Sequence, residues 1–190
     1  MTTVVMLGGN GYVGRTVTEK WLEKDKTAVF YIVSRSGNNQ LQNSNIHNIR
    51  ADVTNYEEVV QALPNKMDYI LDFVGAPDDD PQKLIARNER PAQVMQQIAE
   101  TYQVKAMGFI GGKLGPKPFT KMKSQIIVDL QKSPIRLAYV EPTLIYGNGR
   151  QDKLTKMVLF LKFAGLFSKN LKPVQVNDVA DELIHKMISV

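Results

Sequence analysis

Near its start the chain runs from a short apolar stretch, Val4-Val5-Met6-Leu7, straight into Gly8-Gly9-Asn10-Gly11-Tyr12-Val13-Gly14. The apolar run reads as a buried strand, the glycines as a turn too sharp for side chains, and the pattern beyond Tyr12 as a helix. Glycines also let backbone approach a pyrophosphate, whose charge is then held by the N–H groups and dipole of the helix start. The stretch is therefore a candidate dinucleotide cradle, with Gly8, Asn10, Gly11, Tyr12, Val13 and Gly14 around the phosphates. Two registers compete: Gly9, Gly11 and Gly14 satisfy G-x-G-x-x-G, whereas Gly8, Gly11 and Gly14 satisfy G-x-x-G-x-x-G. The second is favoured, because a strand ending at Leu7 makes Gly8 the first turn residue.

The rest of the chain alternates in the same way. Tyr12 to Lys24 places Val13, Val17, Trp21 and Leu22 at helical spacing, and Ala28 to Val33 is β-branched and aromatic, as a buried strand requires. That strand ends at Ser34-Arg35. An acid at this distance would bond a ribose 2′-hydroxyl, whereas an arginine with a neighbouring hydroxyl suits a 2′-phosphate, so NADP(H) is favoured over NAD(H). Residues 38–45 are rich in Asn and predict a loop in place of a second crossover helix. Ile46 to Arg50 leads to Asp52-Val53, and Thr54-x-x-Glu57 reads as a capping box before Val59, Val60 and Leu63. Tyr69 to Val74 predicts the fourth strand, with Phe73, Val74 and Gly75 at its ligand end. Asp78-Asp79-Asp80 before Pro81 reads as a helix cap, opening a helix to about Tyr102. Val104 to Ile110, a helix over 117–131 and Ile135 to Val140 complete six strands. The alternation predicts an α/β fold: a Rossmann-type doubly wound parallel sheet with helices on both faces, strand order 3-2-1-4-5-6, and its crevice over the glycine turn.

At 190 residues the chain suits one domain, 1–190, with residues 148–190 as a small C-terminal lobe for substrate or partner. It contains no cysteine, which excludes a disulfide framework, thiolate zinc sites and cysteine nucleophiles and suits a reducing cytoplasm. His47 and His185 lie far apart without partners at ligand spacing, so no metal is expected. With no signal-type segment and no uncharged stretch of membrane-spanning length, a cytoplasmic protein without a membrane partner is expected. Residues 101–172 carry 13 Lys or Arg against three acids, a balance of +10 within a net +5. That half either attracts an anionic cofactor or substrate or is a solvated lysine-rich surface. Its lysines are scattered among Gly, Pro and apolar residues, and nucleic acid is not expected as a partner.

Taken together, these residues resemble the atypical short-chain dehydrogenase/reductase superfamily, in particular its compact NAD(P)H-binding, flavin-reductase-like and NmrA-like members. Gly8, Gly11 and Gly14 match its pyrophosphate loop, Arg35 its 2′-phosphate position and Asp52-Val53 its adenine-contacting pair. Pro142-Thr143-Leu144-Ile145-Tyr146-Gly147 resembles its R-P-x-x-(I/V)-Y-G loop, and Val176-Asn177-Asp178-Val179-Ala180 its late V-x-D-V-A helix start. The resemblance covers nearly the whole chain and implies Gly111 and Pro142 as further residues beside the cofactor.

The resemblance breaks at the chemistry. Enzymes of the superfamily use a tyrosine as proton donor, a lysine four residues later that lowers its pKa and holds the nicotinamide ribose, and a serine that positions the carbonyl. Here the lysine position is Lys123, but the tyrosine position is Phe119, which has no hydroxyl to donate. Gly111-Gly112 stands at the serine position, and Glu141 where an arginine precedes the proline. Lys123 either touches the ribose or is a solvated helix lysine, and Asn88 either matches a family asparagine or is an exposed helix polar. The segment 153–169 carries a broad apolar arc that includes Phe160, Phe163 and Phe167. It reads as a flat aromatic pocket wall, a homodimer surface or a core helix. The expectation is hydride transfer from NADPH to an aromatic flavin- or quinone-type acceptor, with the proton from water and Phe119, Tyr146 and Phe163 as pocket walls. A binding-only redox sensor and, less favoured, a sugar-nucleotide epimerase or dehydratase are the rivals.

Overall fold

The computed structural model describes residues 1–148 and 172–189. Six strands, β1 (Thr3–Leu7), β2 (Val29–Ser34), β3 (Ile46–Arg50), β4 (Tyr69–Asp72), β5 (Ala106–Ile110) and β6 (Leu137–Val140), form one sheet in the order β3-β2-β1-β4-β5-β6. Every pairing in it is parallel. A parallel sheet must bury both faces, and β1 does so completely, with Val4, Val5, Met6 and Leu7 all fully buried. The expected sheet order and crevice position are those observed.

The two faces have separate cores. Val5, Leu7, Ile70, Met107 and Phe109 point toward α2 (Tyr56–Val60), α3 (Pro81–Tyr102) and α4 (Lys117–Leu130). Val4, Met6, Leu71 and Ala106 point to the opposite side, where α1 (Tyr12–Lys24) and α5 (Val176–Ile188) lie. There Trp21 meets Phe30 edge-on at 6.3 Å and tilts over Tyr69 at 5.4 Å. Burying each large side chain of this kind contributes roughly 1.5–3 kcal/mol. Arg136 fastens α5 to the start of β6 by donating to the Lys186 and Met187 carbonyls at 2.6 and 2.5 Å. Of the stretch read as a small lobe, α5 packs on the main sheet. The 153–169 segment, with Phe160 and Phe163, lies outside the described residues.

Between β6 and α5, β7 (Ile145–Tyr146) pairs in parallel with β8 (Val174–Gln175) at the rim of the crevice. Several element ends differ from expectation, each for a local reason. β4 stops at Asp72 because its own Oδ1 accepts the Val74 N–H at 2.8 Å and ends the ladder. β5 starts at Ala106 because Val104 N–H is taken by Ala99 O, closing α3 behind a left-handed Gln103. β6 starts at Leu137, since Ser133 Oγ accepts the Ile135 N–H. The cap of α2 is Asn55, whose side chain accepts from Glu58 N–H, and not Thr54, which is held in a turn by Asp52. Asp80 caps α3 as expected, accepting from Gln82 and Lys83 N–H.

Candidate functional site

The glycines after β1 have three different reasons to lack a side chain. Gly8 turns with φ +69°, and a Cβ there would lie 2.8 Å from Val74 Cγ2. A Cβ on Gly14 would sit 2.5 Å from both Cα and O of Gly9, so α1 can pack against the turn only with glycine at that place. Gly11 faces outward, where a Cβ would meet only the Gly8 carbonyl oxygen at 3.2 Å. The turn thus puts its positive φ at Gly8 and its open position at Gly11. Gly11 is also the N-cap of α1; it supplies no capping side chain, and the first turn of α1 contains no acid. α2, by contrast, opens with Asn55, Glu57 and Glu58. A helix start left without a carboxylate, beside an outward-facing glycine, fits a pyrophosphate.

The side chains of the turn serve its shape. Asn10 Nδ2 donates to Asn38 O at 2.9 Å, Arg15 donates to Asn10 O at 2.7 Å, and Tyr12 Oη donates to Gly147 O at 2.7 Å. They tie the turn to the loop after β2 on one side and to the segment after β7 on the other.

Beyond the C-terminal ends of the strands lies a trough of three cavities that share Val74. The first, about 270 Å³, is lined by Gly8, Asn10, Ser34, Arg35, Ser36, Val53 and Val74. Ser34 is buried and its Oγ accepts the Gly37 N–H at 3.2 Å, while Arg35 is exposed and no carboxylate among the described residues pairs with it. The second, about 710 Å³, adds Asp52 and Gly75 and, from α3, Lys83, Arg87 and Arg90. Asp52 Oδ1 accepts from the N–H and Oγ1 of Thr54, and Arg87 is held 2.7 Å from Asp78. The sequence reading missed these three cations. Their spacing, four and then three residues along one helix, puts them on a single face and was the signal available.

The third cavity, about 580 Å³, has Val13, Phe73, Gly75, Gly111, Phe119, Lys123, Pro142, Leu144 and Ile145 among its walls. Leu144 and Ile145 line it, and Tyr146 does not. Thr143 is the one hydroxyl-bearing residue among its described lining, and that hydroxyl donates to Lys172 O. A Cβ at Gly111 would come 2.9 Å from Glu141 Cγ, so no serine fits there, whereas at Gly112 it would meet Phe119 Cε1 at an ordinary 3.6 Å.

Lys123 is no solvated helix lysine: it is 4 % exposed. Its Nζ lies 4.5 Å from the ring centre of Phe109 and 6.0 Å from that of Phe119, and donates to Val74 O at 3.3 Å. Burial pushes its pKa down, against the opposing pull of Asp72. Asp72, 1 % exposed on the same sheet face, is pushed up to about 7 by burial, against the charge of Lys123 and the bond from Val74 N–H. Asn88 is not exposed either; it is fully buried, with Nδ2 donating to Ala76 O and Leu84 O. Asp72 Oδ2 and Asn88 Oδ1 are buried and have no hydrogen-bond partner among the described residues. Gly75, at φ +158°, leaves the room: a Cβ there would lie 2.6 Å from Lys123 Nζ and 2.8 Å from Asn88 Oδ1. The sequence reading passed over Asp72, although an acid inside the apolar run Tyr69-Ile70-Leu71-Asp72-Phe73-Val74 is itself a signal.

Residues 4–125 match the NAD dependent epimerase/dehydratase family. No curated protein matches the chain in sequence. Among solved structures, the enzyme WbmH of Bordetella bronchiseptica in complex with NAD+ is similar with a TM-score of 0.75 at 14% identity, over 100% of this chain and 73% of that one. A UDP-glucose 4-epimerase of Thermus thermophilus in complex with NAD gives 0.73 at 15% identity, over 100% and 75%. A short chain dehydrogenase family protein of Francisella tularensis gives 0.70 at 17% identity, over 98% and 91%. At these identities the likeness is one of fold. Among the described residues no helix is long and apolar enough to cross a membrane.

Proposed function

The chain belongs to the NAD dependent epimerase/dehydratase family, and from that premise we propose that it is an NADP(H)-dependent reductase acting on a flat flavin- or quinone-type acceptor, kin to the flavin-reductase-like and NmrA-like members. Bound NADPH would supply the hydride. Gly8, Gly11 and Gly14, with Asn10, Tyr12 and Val13, hold its pyrophosphate. Arg35 and Ser34 face the 2′-phosphate, a role supported by an exposed guanidinium that no described carboxylate claims. Asp52 and Val53 flank the adenine. Phe73, Val74 and Gly75 run beneath the dinucleotide toward Gly111, Pro142 and Lys123 at the nicotinamide end.

One observation carries the choice of acceptor. Apart from Thr143 and Lys123, the described walls of the third cavity are glycine, proline, aliphatic and aromatic groups, with phenylalanine and glycine where carbonyl chemistry needs tyrosine and serine. Such walls exclude water and orient a planar ring by contact, and a ring that spreads its own charge on reduction needs no hydroxyl to polarise it. A sugar substrate, by contrast, would leave its hydroxyls facing apolar walls.

The test is single-turnover oxidation of NADPH, followed at the nicotinamide absorbance, with FMN, a naphthoquinone and a panel of ketones and sugar nucleotides. Reduction of FMN or the quinone, and not of the ketones, is the expected result. Turnover of a ketone or sugar nucleotide overturns the acceptor assignment. Tight NADPH binding with no turnover of any acceptor makes the protein a binding-only sensor.

A further inference from the structure

Two buried ionisable groups, Lys123 on the wall of the third cavity and Asp72 behind it, grip the same residue. Asp72 Oδ1 accepts the N–H of Val74 at 2.8 Å, and Lys123 Nζ donates to the carbonyl of Val74 at 3.3 Å. The acid at the end of β4 and the lysine from α4 are thereby fixed against one stretch of backbone, with Asp72 behind it and Lys123 on the cavity wall. Lys123 has N–H groups left over, since Val74 O is its only hydrogen-bond partner among the described residues. Asp72 Oδ2 has no hydrogen-bond partner among the described residues. A lysine sealed between the rings of Phe109 and Phe119 would ordinarily shed its proton, because desolvation penalises the ammonium form. A carboxylate as deeply buried would ordinarily take one up. Each is the remedy for the other.

Resting on the reductase reading above, we propose that Lys123 is the proton donor of the third cavity and that Asp72 is the positioning residue that keeps it charged, the two together replacing the hydroxyl acid that Phe119 lacks. With a quinone as acceptor, bound NADPH would supply a hydride, two electrons and a proton together, and would be left as NADP+. The oxyanion so formed on the acceptor takes a proton from Lys123 Nζ, leaving a neutral amine. Solvent protonates the amine again once product has left, and the Asp72 carboxylate makes that recharging favourable despite burial. The surroundings of the pair offer no substitute. β1 and β5 flank Asp72 with Leu7 and Phe109, α3 contributes the neutral Asn88, and α4 contributes Lys123 and Phe119. Among the described residues Lys123 is the charge acting on Asp72, and Asp72 the charge acting on Lys123.

The first test needs no turnover. In the free protein the Lys123 side-chain carbon, followed by NMR through a pH series, is expected to titrate at least one pH unit lower in Asp72→Asn than in wild type, and Asp72→Glu should restore most of the difference. An unmoved midpoint overturns the proposal. If Asp72→Asn does not fold, Lys123→Met is read from the other side: the Asp72 carboxyl carbon must then titrate higher, and failure to do so is equally fatal. The second test is the pH profile of single-turnover naphthoquinone reduction by NADPH. Its alkaline limb should move down with the Lys123 midpoint in Asp72→Asn, a displacement that a merely structural role would not produce. A limb that stays in place removes the donor role. Absence of turnover in wild type sinks the reductase reading and the donor role with it, whereas the pairing itself stands or falls on the NMR titration.

Discussion

Around Gly8, Gly11 and Gly14 the chain meets its proposed ligand with backbone and with exposed cations such as Arg35, whereas around Lys123 it offers buried ionisable groups set among glycine and aromatic walls. The difference is one of what each end can tolerate. At the first, the geometry is set by the absence of Cβ atoms and the charges are exposed to solvent, so the site is intolerant of volume at particular glycines. At the second, a cavity stands open beside two buried ionisable groups, and the sensitive variable is protonation, since a buried charge interacts more strongly than one in water. A binding half built this way can keep its ligand while the chemistry beside it is exchanged, which is the combination seen here: a full set of cradle glycines next to Phe119 and Gly112.

The sharpest way to break that contrast is pH. Burial pushes the Asp72 carboxyl from 3.8 up to about 7, so the folded state binds more protons between those values and stability falls as pH rises through them. The displacement corresponds to on the order of 4 kcal/mol once pH exceeds 7. Lys123, displaced downward, acts in the opposite sense: its burial costs stability at low pH, and that cost is relieved as pH rises toward 10.5. Urea denaturation at pH 5, 7 and 9 should show the first slope in wild type and its loss in Asp72→Asn, where the Lys123 effect alone leaves stability rising with pH. Equal slopes would mean that the acceptor end is no more charge-sensitive than the cradle.

Within the cradle, Gly14→Val forces a side chain to within 2.5 Å of the Gly9 backbone and is expected to destabilise the fold by at least about 3 kcal/mol. Gly11→Val, with open space outward, should leave stability within about 1 kcal/mol of wild type and abolish NADPH binding. Denaturation and nicotinamide fluorescence separate the two; a Gly11→Val protein that still binds would end the cradle assignment. Arg35→Ala comes next, with a loss of NADPH over NADH preference worth about 1.5–3 kcal/mol, the size of a charged hydrogen bond. Equal affinities of the wild type for both dinucleotides would remove the 2′-phosphate role. The smallest effect belongs to Phe119→Tyr, which should change quinone or FMN reduction less than about tenfold, or roughly 1.4 kcal/mol. Adding Gly112→Ser, where the space is present, makes the fairest attempt to rebuild a carbonyl site. A gain of roughly 10²-fold or more on ketones would show that hydroxyls were all that the cavity lacked.

The fold was legible because parallel strands buried on both faces appear as unbroken apolar runs, so element order and sheet order could be read from Val4–Leu7, Ala28–Val33 and their successors. What sequence could not supply was competition for individual N–H groups. Asp72, Ser133 and the end of α3 each took a donor that a strand would have used, and Asp52 drew Thr54 away from the start of α2. The cradle residues were legible for a related reason, since glycine spacing states backbone geometry directly. The coupling of Asp72 with Lys123 was not, because the two lie 51 positions apart and reach the same Val74 backbone only after α4 has packed beside α3.

The placement of α5 also bears on synthesis. Leu183, Ile184 and Met187 complete the core on the face of the sheet that α1 covers only in part, and Arg136 of the β6 edge waits for carbonyls at positions 186 and 187. On a ribosome, all six strands have been made by Val140, yet one side of the sheet stays partly bare until the chain reaches Ile188. At about 5–20 residues per second this interval lasts several seconds, long enough for a chaperone or a second nascent chain to find the exposed Leu71, Ala138 and Val140. Slow codons in that stretch would lengthen the hazard, and the yield of soluble protein should respond to them more strongly than to slow codons placed earlier.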